Sequence, residues 1–369
     1  MLERFKVPAE DVVRVPHQSL HKTTAAIFEN TGCSSSDAQE GADTLVSTDL
    51  RGVESHGVSN QLRVYVKQLQ DGGLNPRPNI TTIRETPGTA SLDGDRGLGV
   101  IIAPRLMKKA IEKARNVGVG VVTMRNAGHV GAVGHHAMIA AKDDMVGMCV
   151  TSGGKHVLPT FAREPRFGTN PISIAAPARK EAYYLFDAAT SAIAGNKIFL
   201  AERVGSTMLP GWIADGDGTP IMDEVHPPER ANFGKAPPWQ LPLGGTREQG
   251  SHKGYGLAMM VEVLGTMLSG ASPAMLGGPR LAQDHFFAAF NIEAFTDLDE
   301  FKDTMDATLK TLKETPPATG QERVLYPGLA EYEDEQDRLK NGIPLHQEVV
   351  QWFDSITGEF GIPKLERLD

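Results

Sequence analysis

The sequence holds only two cysteines, Cys33 and Cys149, far apart among 369 residues. Two thiols cannot build a disulfide framework, and a thiolate metal cage would need more of them. Such scarcity fits a reducing compartment. A dense Lys/Arg block is also missing: 37 basic residues are spread against 46 acidic ones, for a formal charge of -9. Binding to a nucleic-acid backbone requires clustered cations, so no nucleic-acid partner is expected. No apolar run reaches the roughly 18 residues of a membrane span, so no membrane association is expected. The first residues, Met1 to Lys6, carry no apolar stretch of the secretory kind. The expectation is a soluble, cytoplasmic protein. Two nucleotide-binding signatures are absent as well. No Gly-x-Gly-x-x-Gly opens a helix after a strand, and no loop ends in Gly-Lys-Ser/Thr.

What is present reads as globular, with 40% apolar and 22% charged residues. The length allows two packed units or one large layered fold. The N-terminal part has helical periodicity over 17–30. Ser36 with Gln39 suggests a capping box for a second helix ending near Leu50, and a third helix is predicted over 61–70. Pro76 and Pro78 break this pattern. Short strand-like runs follow at 80–83, 119–124, 146–151, 172–175 and 183–186, with a helix over 103–116. A hairpin is predicted over 212–221, a helix from Gly254, a buried strand over 285–292 and an amphipathic helix over 298–312. Thr315-Pro316-Pro317 is a second break, and 330–360 reads as helical. The simplest organisation is a helical unit built from both ends, 1–76 and 315–369, enclosing a central α/β unit over 77–314.

Four segments concentrate groups able to do chemistry. Asp49 to Gly57 holds Arg51, which could grip a carboxylate, and His56, which could bond or protonate a substrate oxygen. The same residues would also suit a helix C-terminus. Gly128-His129-Val130-Gly131 follows an apolar strand, and His129 between glycines suits general acid/base work. His135 and His136 raise a metal site, but no His-Glu-x-x-His pattern and no acidic ligand at helical spacing accompany them. The third segment is Asp187-Ala188-Ala189-Thr190-Ser191. Asp187 could orient an imidazole or accept from a nucleotide, or cap the next helix. The fourth, Ser251 to Gly256, sets Lys253 and glycines at a helix start, an anion site. These residues alone point to an enzyme with an anionic ligand.

Taken in order, these segments resemble the type 2 malate/L-lactate dehydrogenase family, which includes relatives acting on ureidoglycolate, sulfolactate, diketogulonate and cyclic imino acids. The resemblance runs from about Val13 to Leu365. It rests on Leu50-Arg51-Gly52-Val53-Glu54-Ser55-His56-Gly57, Gly128-His129-Val130-Gly131-Ala132, Phe167-Gly168-Thr169-Asn170-Pro171, Asp187-Ala188-Ala189-Thr190-Ser191 and His252-Lys253-Gly254-Tyr255-Gly256. It implies an α/β (α+β) fold of non-Rossmann type, with a largely antiparallel sheet, binding NAD or NADP. It implies hydride transfer to or from a small 2-oxo/2-hydroxy carboxylate, malate- or lactate-like, in a homodimer. A cyclic imino acid reductase is the alternative within the family, and a metal-dependent hydrolase the one outside it. By the same resemblance His129 exchanges the proton, and Arg51 and His56 meet the substrate. Ser152, Asp187, Ala188, Ala189, Lys253, Gly254 and Gly328-Leu329-Ala330 meet the cofactor. Where the family has a Gly-Lys step this chain reads Gly195-Asn196-Lys197, an insertion that stands to shift Lys197.

Overall fold

The computed structural model describes residues 3–229, 234–277 and 282–368. The first third contains β1 (Val12–Val15), α1 (His17–Asn30), α2 (Ser35–Leu50), a π-turn (Val58–Leu62) and α3 (Arg63–Gln70). Then come β2 (Thr81–Glu85), β3 (Thr89–Asp93), α4 (Gly99–Val117), β4 (Val119–Ala127), α5 (Val133–Ala141) and β5 (Met145–Ser152). β6 (Ile172–Ala176), β7 (Tyr184–Ala188), α6 (Gly195–Arg203), β8 (Ile213–Ala214), β9 (Trp239–Gln240) and α7 (Ser251–Val261) follow, with a second π-turn (Glu262–Met267). The chain closes with β10 (Gln283–Asn291), α8 (Leu298–Lys313), α9 (Leu329–Asn341), β11 (Ile343–His346) and α10 (Gln347–Phe360).

Seven strands form the main sheet, in the order β2-β3-β4-β10-β5-β6-β7. Only the β3–β4 pair is parallel; the other pairs are antiparallel. The sheet is thus largely antiparallel, as the resemblance implied. β10 sits in the middle, and its run Phe286-Phe287-Ala288-Ala289 is apolar because both faces are covered. Phe287 and Ala289 join the core under α4 and α5. Phe286 and Ala288 pack with Val150 and Val261 on the opposite side. α4 and α5 lie unusually close to the strands. A Cβ on Gly120 would overlap the Ala110 carbonyl oxygen, and one on Gly147 that of Ala137.

The two chain ends meet. β1 pairs antiparallel with β11, Val15 opposite Ile343. One continuous buried cluster runs from Leu20, Phe28 and Phe353 in the helices to Val122 and Phe287 in the sheet. No helix among the described residues is long and apolar enough to cross a membrane.

Several elements differ from expectation. The Ser34 hydroxyl, not that of Ser36, caps α2 by accepting from the Asp37 N–H. The tail is not one helix: α9 stops at Gly342, whose positive φ of 79° ends it, and β11 is drawn out to pair with β1. The 213–221 turn forms, with Ile221 N–H donating to the Ile213 carbonyl, but β8 takes β9 as its ladder partner. β3 was not predicted: Ala90 and Leu92 alternate with polar residues, but the run is only five residues long and Thr89 is its one β-branched residue.

Arg338 of α9 fastens the C-terminal part to the segment after α2. It donates to the Asp49 carbonyl at 2.7 Å and to Glu54 Oε1 at 2.9 Å, and both side chains are buried. Burial pushes the Glu54 carboxyl up, while Arg338 opposes that rise. Arg338→Met strands a buried carboxylate, so urea unfolding should show a loss of about 3–5 kcal/mol. Adding Glu54→Leu should restore most of it. A loss in the single variant no larger than in the double would mean that the pair does not brace this junction.

Candidate active site

Three of the four predicted segments meet at one cavity beside the ends of β4 and β7. β4 delivers the loop 128–132, and α5 leaves from it. The His129 imidazole is held on one side: Nδ1 accepts from the Tyr65 hydroxyl at 2.6 Å and from the Gly131 N–H at 3.2 Å. A backbone N–H can only donate, so neutral His129 carries its proton on Nε2. Nε2–H is therefore the free donor of the ring, the lone pair on Nδ1 being engaged. Tyr65, on α3, is buried, and burial raises its phenol well above the usual value; it remains a donor.

His56 stacks on His129, with ring centroids 5.8 Å apart and planes 18° apart. Its Nδ1 bonds the Ser55 hydroxyl at 2.9 Å. The turn beneath is set by Asp49, whose carboxylate accepts from the Val58 N–H at 2.7 Å, where the first π-turn begins. Burial, then the neighbouring His129 and Lys197, lower His56 to about 3. Burial, with His136, lowers His129 to about 4. Both rings are neutral near pH 7.

β7 brings Asp187 from the opposite side. Its Oδ2 accepts from the Gly134 N–H at 2.7 Å, in the first turn of α5. Asp187 therefore caps the helix that leaves the His129 loop, not the helix that follows Asp187 in sequence. It faces an open cavity and is reached by solvent, yet protein crowds it closely. That crowding is the chief cause lifting its carboxyl to about 6. Glu331 adds to the rise, while the Gly134 N–H, Lys197 and Arg51 oppose it.

A cavity of about 630 Å³ joins these walls. Arg51, His56, Asp187, Ala188, Ala189, Gly328 and Ala330 line it, together with Lys197 and Glu331. His129 stands one ring behind His56. Arg51 Nη1 is engaged by Glu335 Oε2 at 2.8 Å, so α9 shares in setting this cation. Lys197 was expected to be displaced by Asn196. Instead it reaches the cavity, where burial lowers its ammonium and Asp187 and Glu331 oppose that fall.

Ser152, Leu329, Lys253, Gly254 and His136 do not line the cavity, whereas His135 does. Ser152 is buried, its hydroxyl bonded to Thr266 and to the Asp284 carbonyl on the α7 side of the sheet. The Leu329 side chain packs with Leu309 and Tyr326. Gly254 packs on the backbone of Leu243, itself a cavity residue, which places Lys253 in the α7 turn at the rim. His135 bonds Ser47 through Nδ1 at 2.7 Å, and His136 bonds the Val130 carbonyl at 2.8 Å. Among the described residues no group of three His, Cys, Asp or Glu side chains is placed to hold a metal ion. Tyr65, Glu331 and Glu335 carried no signal in the sequence, because each reaches the site from a helix of ordinary composition.

A family model described as malate/L-lactate dehydrogenase matches residues 15–354. The chain belongs to that family. It is an oxidoreductase acting on the CH–OH group of small hydroxy acids. The chain is 38% identical to a malate dehydrogenase of Pyrococcus abyssi, over 97% of its own length and 98% of the relative's. It is 36% identical to an L-sulfolactate dehydrogenase of Methanocaldococcus jannaschii, covering 91% and 94%. The solved malate dehydrogenase of Pyrococcus horikoshii superposes with a TM-score of 0.87, at 36% identity, covering 98% of this chain and 99% of that one. Within this family frame the Asp187 environment can be tested without substrate. Its carboxyl carbon, followed by NMR, should titrate near 6. Glu331→Gln removes a negative neighbour and should move that midpoint down by up to about one unit. A midpoint in the ordinary carboxylate range, indifferent to Glu331, would contradict the assignment.

Proposed function

We propose that this cavity carries out NAD- or NADP-dependent interconversion of a 2-hydroxy and a 2-oxo carboxylate of malate or lactate size. The observation that carries the proposal is the convergence of Arg51, Lys197, His56 and Asp187 on one cavity, with His129 stacked behind His56. Two cations face the carboxylate of the substrate, and a neutral imidazole pair faces the oxygen that gains or loses a proton.

The walls fit a nicotinamide nucleotide. Ala188, Ala189 and Gly328 leave room for a flat ring beside Asp187. A Cβ on Gly328, which has φ +97°, would press on the Tyr183 carbonyl. The rim leads past Leu243 to the first turn of α7, where exposed Lys253 suits a phosphate. Ala188, Ala189, Gly328 and Ala330 would hold the ring end, and Lys253 with Gly254 the phosphate end. The bound nucleotide supplies or accepts the hydride.

The protein's part is position and proton transfer. Arg51 and Lys197 fix the carboxylate. Neutral His129, with its Nδ1 lone pair engaged, presents Nε2–H as a hydrogen-bond donor to the substrate oxygen. Taking the substrate proton in the oxidative direction requires the tautomer that carries the ring proton on Nδ1, directed at the Tyr65 oxygen, and leaves Nε2 open. The His129 value near 4 keeps the ring neutral at neutral pH. Asp187 anchors the α5 turn and meets the carboxamide.

We also propose a homodimer. On α7 and its π-turn, Tyr255, Leu257, Met259, Met260, Val263 and Met267 are each at least 37% exposed. So wide an apolar stripe on one helix suits a buried subunit contact, and it continues the turn that carries Lys253.

Oxidation of NADH and NADPH against pyruvate, oxaloacetate, other 2-oxo acids and cyclic imines tests the reading. Turnover is expected with at least one 2-oxo acid. His129→Asn should lower kcat by about 10²–10⁴-fold, with nucleotide affinity kept. Inactivity across the panel, or near-full turnover in His129→Asn, would refute it; turnover with cyclic imines alone would replace the substrate class.

A further inference from the structure

The loop that bears His129 is Gly128-His129-Val130-Gly131, and its glycines leave the backbone free to turn. Gly131 has φ +73°. Such a loop does not aim an imidazole by itself. In the fold, three consecutive carbonyls of this loop are each held by a donor. The Gly128 carbonyl accepts from His285 Nε2 at 3.1 Å. The His129 carbonyl accepts from the Val100 N–H at 3.1 Å. The Val130 carbonyl accepts from His136 Nε2 at 2.8 Å. Two of the three donors are fully buried imidazoles from different elements, α5 and β10.

The peptide unit is planar, so fixing its oxygen fixes its N–H. The Val130 carbonyl and the Gly131 N–H belong to one unit. His136 therefore sets the direction of the N–H that donates to His129 Nδ1. The Gly128 carbonyl and the His129 N–H belong to another, which His285 sets. Thr151 in turn bonds His285 Nδ1 at 2.7 Å. A carbonyl only accepts, so both histidines carry their proton on Nε2. Phe287 lies against both rings, with centroids 6.1 and 6.3 Å away.

We propose that His136 and His285 are positioning residues that clamp the peptide units on either side of His129 and so hold its ring neutral and in one orientation, with Nε2–H as the donor it presents. The inference deepens the catalytic reading of His129 and rests on it for the kinetic outcome only. The clamp is constant over the working pH range. Burial lowers His136 to about 4 and His285 to about 3, while their carbonyl bonds oppose that fall. The titratable groups facing His129 are His56 from the segment after α2, Tyr65 from α3, His136 from α5 and His285 from β10. An N–H aimed at Nδ1 favours the neutral ring. Loosening the clamp frees Nδ1, so the His129 midpoint moves up.

Three variants test this in the full-length protein: His136→Phe, which keeps a ring and loses the donor; His136→Gln, which keeps an N–H; and Thr151→Val, which touches neither loop nor cavity. With labelled histidine, the His129 ring signal, assigned through His129→Asn, should titrate at least about half a unit higher in His136→Phe and Thr151→Val. His136→Gln should return it toward the parent value. This readout needs no substrate and stands even if the reaction class is wrong. On a 2-oxo acid that turns over, kcat should fall by about 10–100-fold in His136→Phe, with both KM values within about twofold. An unmoved His129 titration in folded His136→Phe and Thr151→Val would overturn the proposal. So would a kcat per folded molecule equal to the parent's.

Discussion

The site depends on where α5 lies. It can press onto β5 only because Gly147 has no side chain to hold it off. From that position its first turn meets the end of β7, where Asp187 takes the Gly134 N–H. Two residues further on, His136 turns back to the loop that α5 left. One helix thus connects the acid of the cavity to the imidazole behind it. A shift of this helix would move the His129 loop and break the Asp187 cap together.

Desolvation decides the charges here. His56, His129, His136 and His285 are all pushed well below the ordinary imidazole value, chiefly by burial. Four neutral rings beside one another avoid the repulsion that even two imidazolium ions would bring. The same crowding lifts Asp187 toward neutral pH. Positive charge in the cavity rests on Arg51 and Lys197, each balanced by a carboxylate: Glu335 for Arg51, and Asp187 with Glu331 for Lys197. An entering carboxylate competes with these internal partners, which keeps the cations fixed without leaving them unpaired.

The chain ends have a structural part and a chemical one. β1 and β11 pair, and Arg338 reaches into the turn that holds His56. Through Glu331 and Glu335, α9 also sets the charge around Arg51 and Asp187. Residues nearly three hundred positions from Arg51 in sequence therefore tune it.

By itself the sequence determined the family, the helices with strong 3.6-residue periodicity such as α1 and α8, and most sheet strands to within a few residues. It also singled out Arg51, His56, His129 and Asp187 as candidates for the chemistry, since titratable groups set among glycines stand out from their neighbours. It could not mark β3 or β11, whose extended form comes from their pairing partners. Nor could it mark Tyr65, Glu331 or Glu335, or direct Ser152 and Leu329 away from the cavity. The roles of His136 and His285 were equally hidden, because they act through backbone carbonyls supplied by another element. Tertiary structure decided those points, since a buried donor has meaning only against the acceptor that packing brings within 3 Å of it.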